Sequence, residues 1–302
     1  MAEGIPSRGR SDRGTEVEQG ASQQSCRGTV FKITPSGKLT TLHSFDLADG
    51  YAPQAGLVQG TDGNFYGTTL EGGPTNASCM YQSCGTVFKI TPSGTLTTLY
   101  NFCSQSNCAD GALPEAALVQ GTDGNFYGTT PYGGANNNCF FVQPSSDGCG
   151  TVFSITPSGV LTTLYNFCPQ SGCADGYYPI AGLIQDTNGT FYGTTTLGGP
   201  ANISCMNNSY DSCGTVFSLS VGLSPFVETL PASGKMGAAV KILGTNLTGA
   251  TSATFNGTAA TFTVVSASEI TTTVPSGATT GTVQVVTPGG TLSSNVPFTV
   301  TP

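Results

Sequence analysis

Short runs of alternating apolar and polar residues, separated by turn sequences, dominate the chain. Over residues 116–167 these runs read AALVQ, FYGTT, TVFSI and LTTLYNF. The alternation has the two-residue period of a β-strand. The segments TDGN and TPSG between the runs are tight-turn sequences. The pattern therefore predicts four antiparallel strands, named here A, B, C and D in chain order.

This four-stranded unit recurs along the chain. The strand C sequence GTVF begins at Gly28, Gly85, Gly150 and Gly214. A repeated four-stranded meander is typical of a β-propeller blade. A β-solenoid is the alternative. The rungs of a solenoid should keep a nearly constant length, whereas the spacing between successive GTVF copies varies along this chain. We predict a half blade at 28–45 (strands C and D), full blades at 53–102 and 114–167, and a partial blade at 180–221 (strands A, B and C).

The predicted blades are too few to close a ring, since closed propellers have about four blades or more. The fold class predicted is therefore all-β, with an incomplete propeller-like array of four-stranded blades followed by a second domain. Bare strand edges in such an array would permit self-association. Residues 1–27 match no blade strand. They are predicted to be either a disordered segment or a mis-started one, in which the true N-terminal sequence is missing.

The pattern changes after the last blade. Residues 222–302 have no cysteine and no FYGTT block, and they read as short alternating strands. Such spacing predicts a small immunoglobulin-like β-sandwich. Its inward positions are predicted to be Val240, Ile242, Phe255, Phe262, Val264, Ile270, Val283 and Val285.

Ten of the 11 cysteines occur as close pairs in the predicted loops. The strand D exit that reads YNFCSQSNCADG at 100–111 is shortened to HSFDLADG at 43–50, and both cysteines are lost together, as disulfide pairing predicts. Zinc binding is disfavoured because the spacings differ and bring no histidines. Local disulfides are therefore predicted, with Cys26 left over: Cys79–Cys84, Cys103–Cys108, Cys139–Cys149, Cys168–Cys173 and Cys205–Cys213.

Charge and cysteine content limit the partners and the cellular locations that the sequence allows. Charged residues make up 9% of the chain and the net charge is −8, so no nucleic-acid partner is expected. No apolar run is long enough to span a membrane. Several disulfides indicate an extracellular or cell-surface location. Residues 1–25 contain no apolar signal segment, so we expect the signal sequence upstream of this chain.

The B–C loops and the D–A connections should share one face, which carries all the paired cysteines. Loops held by a rigid scaffold are typical binding sites, although each residue could equally be an ordinary loop residue, and Asp-Gly alone favours a turn. We predict no cofactor, no metal and no catalytic residue. The predicted binding residues are Tyr81, Asp110, Tyr132, Asn136, Asn137, Asn138, Phe140, Phe141, Asp175, Tyr177, Tyr178, Asn207 and Tyr210.

The only histidine, His43, aligns with Tyr100 and Tyr165 in strand D. We therefore interpret it as a substituted structural aromatic and not as a catalytic base. A Ser/His/Asp arrangement is thereby disfavoured.

The segment GTVFKITPSGTLTTLYNF with DGALPEAALVQGTDGNFYGTTPYGG resembles the GloVer-type tandem repeat of bacterial choice-of-anchor surface proteins. Residues 224–300 are similar to an IPT/TIG immunoglobulin-like domain, through PFVETLPASGKMGAAVKILGTNL, TFNG and TGTVQVVTPGG. The resemblance implies export and surface display. We expect a non-enzymatic protein that binds glycan or protein. The alternatives are a propeller lyase or glycoside hydrolase that uses channel carboxylates, and a passive spacer.

Overall fold

The computed structural model describes residues 28–76, 83–139, 148–199 and 213–302. Within these ranges the chain is built from β-strands, and the only helical segment is a short 3-10 turn at Ser106–Cys108. The all-β prediction is confirmed. Among the described residues, no helix is long and apolar enough to cross a membrane.

The repeat region forms four separate antiparallel sheets, and the described strands do not pair into a closed ring. Each sheet follows the predicted A–B–C–D order. The half blade is β1 (Thr29–Ile33) and β2 (Leu39–Ser44). The full blades are β3 (Val58–Gln59), β4 (Phe65–Thr69), β5 (Thr86–Ile90) and β6 (Leu96–Asn101), then β7 (Val119–Gln120), β8 (Phe126–Thr130), β9 (Thr151–Ile155) and β10 (Leu161–Asn166). The last blade is β11 (Ile184–Gln185), β12 (Phe191–Thr195) and β13 (Thr215–Leu219).

Strand A is shorter than the sequence predicts. AALVQ yields only the two-residue β7, because the residues before it contact the preceding blade instead of a sheet neighbour. The Ala116 carbonyl accepts a hydrogen bond from Thr68 Oγ1 at 3.0 Å, and the Ala181 carbonyl accepts one from Thr129 Oγ1 at 3.0 Å.

Strand D carries the same irregularity in the three repeats whose strand D is described. The register between β5 and β6 shifts at Val87 and Phe88, which leaves Leu99 as the extra residue of a bulge. The next C–D turn packs on that bulge: a Cβ added to Gly159, at φ +95°, would lie 2.6 Å from the Leu99 carbonyl oxygen. Glycine in TPSG therefore permits both the positive φ and the close approach of two blades.

Aromatic rings join successive blades. Tyr66 stacks on Phe126 with ring centroids 3.9 Å apart, and Tyr127 lies 4.2 Å from Phe191. Phe102 packs edge to face on Phe153 at 5.2 Å. Each fully buried phenylalanine contributes about 1.5–3 kcal/mol of transfer free energy. Among the described residues, the buried side chains of the repeat region form three apolar clusters, each shared by two neighbouring blades, without inter-blade strand pairing.

Glutamine side chains connect the A–B turns of neighbouring blades. Gln120 Oε1 accepts the Thr61 amide at 2.9 Å and Gln120 Nε2 donates to Thr61 Oγ1 at 3.3 Å. Gln185 makes the same pair of bonds to Thr122 one repeat later, at 3.2 and 3.3 Å. The recurring Gln and Thr of VQGT therefore serve as an inter-blade clamp.

The C-terminal region contains two four-stranded sheets together with a parallel pair of strands. Six of the eight predicted inward residues are buried, while Phe262 and Val264 are partly buried against the same core. The strands are β14 (Glu228–Leu230), β15 (Ser233–Lys235), β16 (Ala239–Leu243), β17 (Ser252–Phe255), β18 (Thr258–Ala259), β19 (Phe262–Ser266), β20 (Glu269–Thr273), β21 (Val283–Thr287), β22 (Gly290–Ser293) and β23 (Thr299–Thr301). The two sheets have the orders β14-β16-β20-β19 and β18-β17-β21-β22, and β15 pairs in parallel with β23.

The sandwich contacts the A–B turn of the last blade. Thr187 Oγ1 lies 2.9 Å from Thr245 Oγ1, and the Thr187 carbonyl accepts the Phe226 amide at 2.9 Å. Thr187 is the repeat equivalent of Thr61 and Thr122. The sandwich therefore takes the place that the glutamine clamp of a following blade occupies in the earlier repeats.

Candidate functional site

Strand register separates the loops into two faces. In the first full blade Phe65 pairs with Ile90 and Ile90 pairs with Leu96, so the A–B and C–D turns leave from that end of the sheet. Thr69 pairs with Thr86 at the other end, where the B–C loop and the D–A connection begin. We call this second end the loop face. All the described disulfides lie on it.

A buried pair of threonines forms the floor of the loop face in each blade. Thr69 Oγ1 lies 2.8 Å from Thr86 Oγ1, and the same distance separates Thr130 from Thr151 and Thr195 from Thr215. The glycine of the ADG motif packs directly on this pair, since a Cβ on Gly111 would lie 2.4 Å from Thr130 Oγ1. The motif therefore brings the D–A connection down onto the sheet.

The aspartate of the ADG motif binds its own loop. Asp110 is fully buried, and its carboxylate accepts hydrogen bonds from the Tyr100 hydroxyl at 2.7 Å, from the Ser104 amide and hydroxyl at 2.9 and 3.0 Å, and from the Gln105 amide at 3.2 Å. Asp175 accepts from the Tyr165 hydroxyl at 2.9 Å and from the Cys168 amide at 3.0 Å. These contacts give both aspartates a place in turn structure, which was the alternative interpretation of the motif.

Burial and the neighbouring aspartate change the acidity of these tyrosines. Burial, opposed in part by the Ser104 hydroxyl and reinforced by Asp110, raises the pKa of Tyr100 to about 12. Burial and the hydrogen bond to Asp175 raise the pKa of Tyr165 to about 12. Both phenols therefore remain protonated donors throughout the physiological range.

Three of the predicted disulfides are present: Cys103–Cys108, Cys139–Cys149 and Cys168–Cys173. Cys84 and Cys213 are also disulfide-bonded, while their predicted partners Cys79 and Cys205, like Cys26, lie outside the described residues. The sulfurs of Cys84, Cys103 and Cys108 lie within 4.8 Å of one another. Because all three are oxidised, none is a thiolate that could ligate a metal.

Asparagine side chains attach the B–C loop to the strand D exit. Asn136 Nδ2 donates to the carbonyls of Asn166 and Phe167, both at 3.0 Å, and Asn138 Nδ2 donates to the Cys168 carbonyl at 3.2 Å. Asn137, between them, is exposed. Two of the three predicted asparagines therefore hold the loop in place, and Asn137 presents its amide to solvent.

Tyr132 and Tyr178 meet across the junction of two blades. Tyr132 follows strand β8, and Tyr178 lies on the connection into β11. Their hydroxyls are 3.0 Å apart and their rings are edge to face, with centroids 5.1 Å apart. Both are partly exposed, so the pair forms an aromatic surface on the loop face.

Glu115 adds a carboxylate to this tyrosine pair, and the sequence analysis missed it. Burial raises the pKa of Glu115, and burial, the Tyr132 hydroxyl and the charge of Glu115 raise the pKa of Tyr178. The signal was available: the equivalent residues of the neighbouring repeats are Gln54 and Ile180, so Glu115 departs from the repeat pattern. We call Glu115, Tyr132 and Tyr178 the tyrosine cluster.

The remaining predicted binding residues divide into two groups. Tyr177 is buried at 6% exposure, and its amide donates to the Leu197 carbonyl at 2.8 Å. It is therefore part of the connection beneath the cluster. The others lie outside the described residues: Tyr81, Phe140, Phe141, Asn207 and Tyr210.

The model of the Gloeobacter/Verrucomicrobia repeat family matches residues 12–264. The chain belongs to this repeat family. The match confirms the repeat part of the sequence resemblance. No curated protein matches the chain in sequence.

Among solved structures, a copper-bound fungal alcohol oxidase of the AA5 family is similar at 12% identity and a TM-score of 0.40, over 90% of this chain and 59% of the oxidase. A protein named as a gluconolactonase is similar at 12% identity and a TM-score of 0.35, over 88% and 80% of the two chains. SGBP-B from a xyloglucan utilization locus of Bacteroides uniformis is similar at 13% identity and a TM-score of 0.22, over 78% and 47%. These low scores do not establish a shared architecture, and nothing about function follows from them.

Proposed function

We propose that this member of the repeat family is an exported surface protein that binds an uncharged glycan through the loop face. The observation that carries the proposal is the contact between Tyr132 and Tyr178, in which two partly exposed rings from different blades meet at 5.1 Å. Tyrosine supplies a rigid apolar ring with a polar tip, a combination suited to ligands that have both apolar faces and hydroxyl groups.

The surroundings of the pair support a neutral, polyhydroxylated ligand. The Tyr178 hydroxyl, which lies 3.0 Å from the Tyr132 hydroxyl, can both donate and accept hydrogen bonds. The exposed amide of Asn137 adds a further donor and acceptor on the same face. Glu115 provides an acceptor for sugar hydroxyls.

Two disulfides on the loop face support binding further. The Cys139–Cys149 and Cys168–Cys173 disulfides flank the loops that lead to the tyrosine cluster. Pre-ordered loops lose less conformational entropy when a ligand binds. The disulfides also support export, since they persist in oxidising compartments. In this proposal the sandwich is a stalk or interaction module of the IPT/TIG type.

The hydrogen bonds of the ADG-motif carboxylates favour a binding role over a catalytic one. The aspartates that an enzyme of the channel-carboxylate type would require, Asp110 and Asp175, are held by donors from their own loops. Each ADG aspartate therefore has a structural task in its repeat. A binding role needs none of these groups to be free.

A glycan array with the disulfide-intact protein tests the proposal. Asn137→Ala, Tyr132→Phe and Tyr178→Phe should each weaken the strongest array signal, because each removes a polar group from the loop face. Lys38→Ala is the matched control: Lys38 is exposed on the C–D turn of the half blade, at the opposite end of the sheet. The absence of any glycan signal, or equal weakening by the control, would contradict the proposal, and protein ligands screened in parallel would then define the alternative.

A further inference from the structure

Strand β13 has the strand C sequence but a different environment from its equivalents. β5 reads TVFKI, β9 reads TVFSI and β13 reads TVFSL. In the two full blades the valine at the second position of the strand is fully buried, at 0% exposure for Val87 and Val152, whereas Val216 is 78% exposed. The strand C sequence, which is buried on both faces in the full blades, is therefore exposed to solvent in the last blade.

The missing neighbour is a strand D. β5 pairs with β6 and β9 pairs with β10, whereas β13 pairs, among the described strands, with β12 alone. Its outer main-chain edge lacks the ladder that the other two C strands have. An edge of this kind is a template for an added strand.

A cavity lies where the side chains of that strand would pack. It has a volume of about 510 Å³ and is lined by all of β13 together with Val152, Tyr165, Phe167 and Asp175. Phe167 already packs edge to face on Phe217 from one side, with ring centroids 5.0 Å apart. The cavity is therefore the open half of a core that is complete in the two full blades.

The chain itself shows which strand fits this edge. The D strands of both full blades read LTTLYN, at Leu96–Asn101 and Leu161–Asn166. In each of them the tyrosine lies opposite the valine of strand C: Tyr100 pairs with Val87 and Tyr165 pairs with Val152. An incoming tyrosine in the same register would lie opposite Val216 and cover it.

We propose that β13 is a docking edge for an extended segment of the strand D pattern, Leu-Thr-Thr-Leu-aromatic-Asn, supplied in trans by another repeat of this family. The segment adds antiparallel to β13 and completes the last blade. Main-chain hydrogen bonds to the edge supply affinity, and the leucine and aromatic side chains that enter the cavity supply specificity. This interaction does not involve Tyr132, Tyr178 or Asn137, on which the proposed glycan binding rests.

The test uses the full chain and a synthetic peptide with the sequence of residues 160–167, VLTTLYNF. Titration calorimetry should detect one bound peptide per chain, and hydrogen exchange should show protection of the β13 amides. A scrambled peptide of the same composition should not bind. Val216→Lys, at a site already open to solvent, should weaken binding at least about tenfold, a factor equivalent to about 1.4 kcal/mol.

Val265→Lys on the sandwich is the matched control, because Val265 is similarly exposed, at 58%, and lies far from β13 in the chain. It should leave peptide affinity unchanged, and circular dichroism should show that both variants keep the fold. The proposal is overturned if the peptide fails to bind with a Kd below about 1 mM, if the scrambled peptide binds equally, or if protection appears elsewhere than on β13.

Discussion

Nε2 of His43 lies 2.7 Å from Oδ2 of Asp49, the same distance that separates the Tyr100 hydroxyl from the equivalent oxygen of Asp110. The single histidine thus performs the hydrogen bond of a tyrosine, in a repeat where the loop between the two residues is shorter. Its ring also packs edge to face on Phe45, with centroids 5.0 Å apart, as Tyr100 packs on Phe102 at 5.5 Å. The structure supports the alignment of His43 with the strand D tyrosines.

His43→Phe should therefore destabilise the protein, because it keeps a ring but leaves Asp49 without this partner. The loss should be about 1 kcal/mol, the usual net value of one hydrogen bond. His43→Tyr should be tolerated better than His43→Phe. Urea unfolding of both variants measures the difference, and Tyr165→Phe provides the matched loss in a repeat that has a native tyrosine. Equal stability of His43→Phe and the parent would contradict this account.

Asn101 and Asn166 occupy equivalent positions at the end of strand D but have different partners. Asn166 Oδ1 accepts the Ala135 amide at 2.8 Å. The equivalent of Ala135 one repeat earlier is Pro74, which has no amide hydrogen, and Asn101 Oδ1 is buried without a hydrogen-bond partner. One proline therefore explains the only buried unpaired asparagine oxygen among the described residues.

Asn166→Ala should cost more unfolding free energy than Asn101→Ala, by about 1 kcal/mol, because only the first removes this hydrogen bond. Ala135→Pro is the complementary variant. The earlier repeat shows that proline is accepted at this position, so its cost should come mainly from the unpaired Asn166 oxygen. Chemical denaturation compares the three variants, and equal costs for the two alanine variants would refute the explanation.

The repeat pattern was readable from the sequence because each strand recurs with nearly the same letters. The disulfide pairs followed from the joint loss of both cysteines in HSFDLADG. The structural roles of Asn136 and Asn138 could not be predicted from the sequence, because an asparagine that holds a loop and one that faces a ligand have the same chemistry. Glu115 was missed for a similar reason: its charge acts on a tyrosine 63 residues away, Tyr178, and no local pattern reveals this pairing.

Glu115 should make stability depend on pH. Burial raises its pKa in the folded state above the unfolded value, so the folded chain disfavours the charged form. The destabilisation is absent below the unfolded pKa, about 4.3, and develops as the pH rises through the raised folded pKa. Glu115→Gln should therefore be more stable than the parent at pH 7, and the two should converge near pH 3.5.

Thermal unfolding of both proteins across this pH range makes the comparison. Glutamine is a native residue at the equivalent position, Gln54, so the substitution suits the repeat backbone. A stability difference between parent and variant that stayed constant from pH 3.5 to pH 7 would show that the effect arises from packing and not from ionisation.

The shortened loop of the half blade should be able to substitute for the disulfide-containing loop of a full blade. In the half blade Asp46 Oδ1 accepts the amides of Ala48 and Asp49 at 2.8 and 3.1 Å, so a side-chain turn fixes the loop where two cysteines are missing. The Leu47 carbonyl accepts the Gly73 amide at 2.9 Å, as the Cys108 carbonyl at the equivalent position accepts the Gly134 amide at 2.8 Å. The short loop therefore keeps this main-chain contact of the long loop without a crosslink.

Replacing residues 102–111, FCSQSNCADG, by FDLADG should consequently give a folded protein. The paired variant Cys103→Ser with Cys108→Ser keeps the long loop and its Asp110 hydrogen bonds, but it lacks the disulfide and has no counterpart of the Asp46 turn. It should lose about 2 kcal/mol, the chain-entropy value for so small a loop. The loop replacement should lose less, since its shorter chain has less entropy to lose and Asp46-type hydrogen bonds fix its shape. Guanidinium unfolding under oxidising conditions ranks the two, and a replacement less stable than the double serine variant would show that the half-blade loop depends on its own blade.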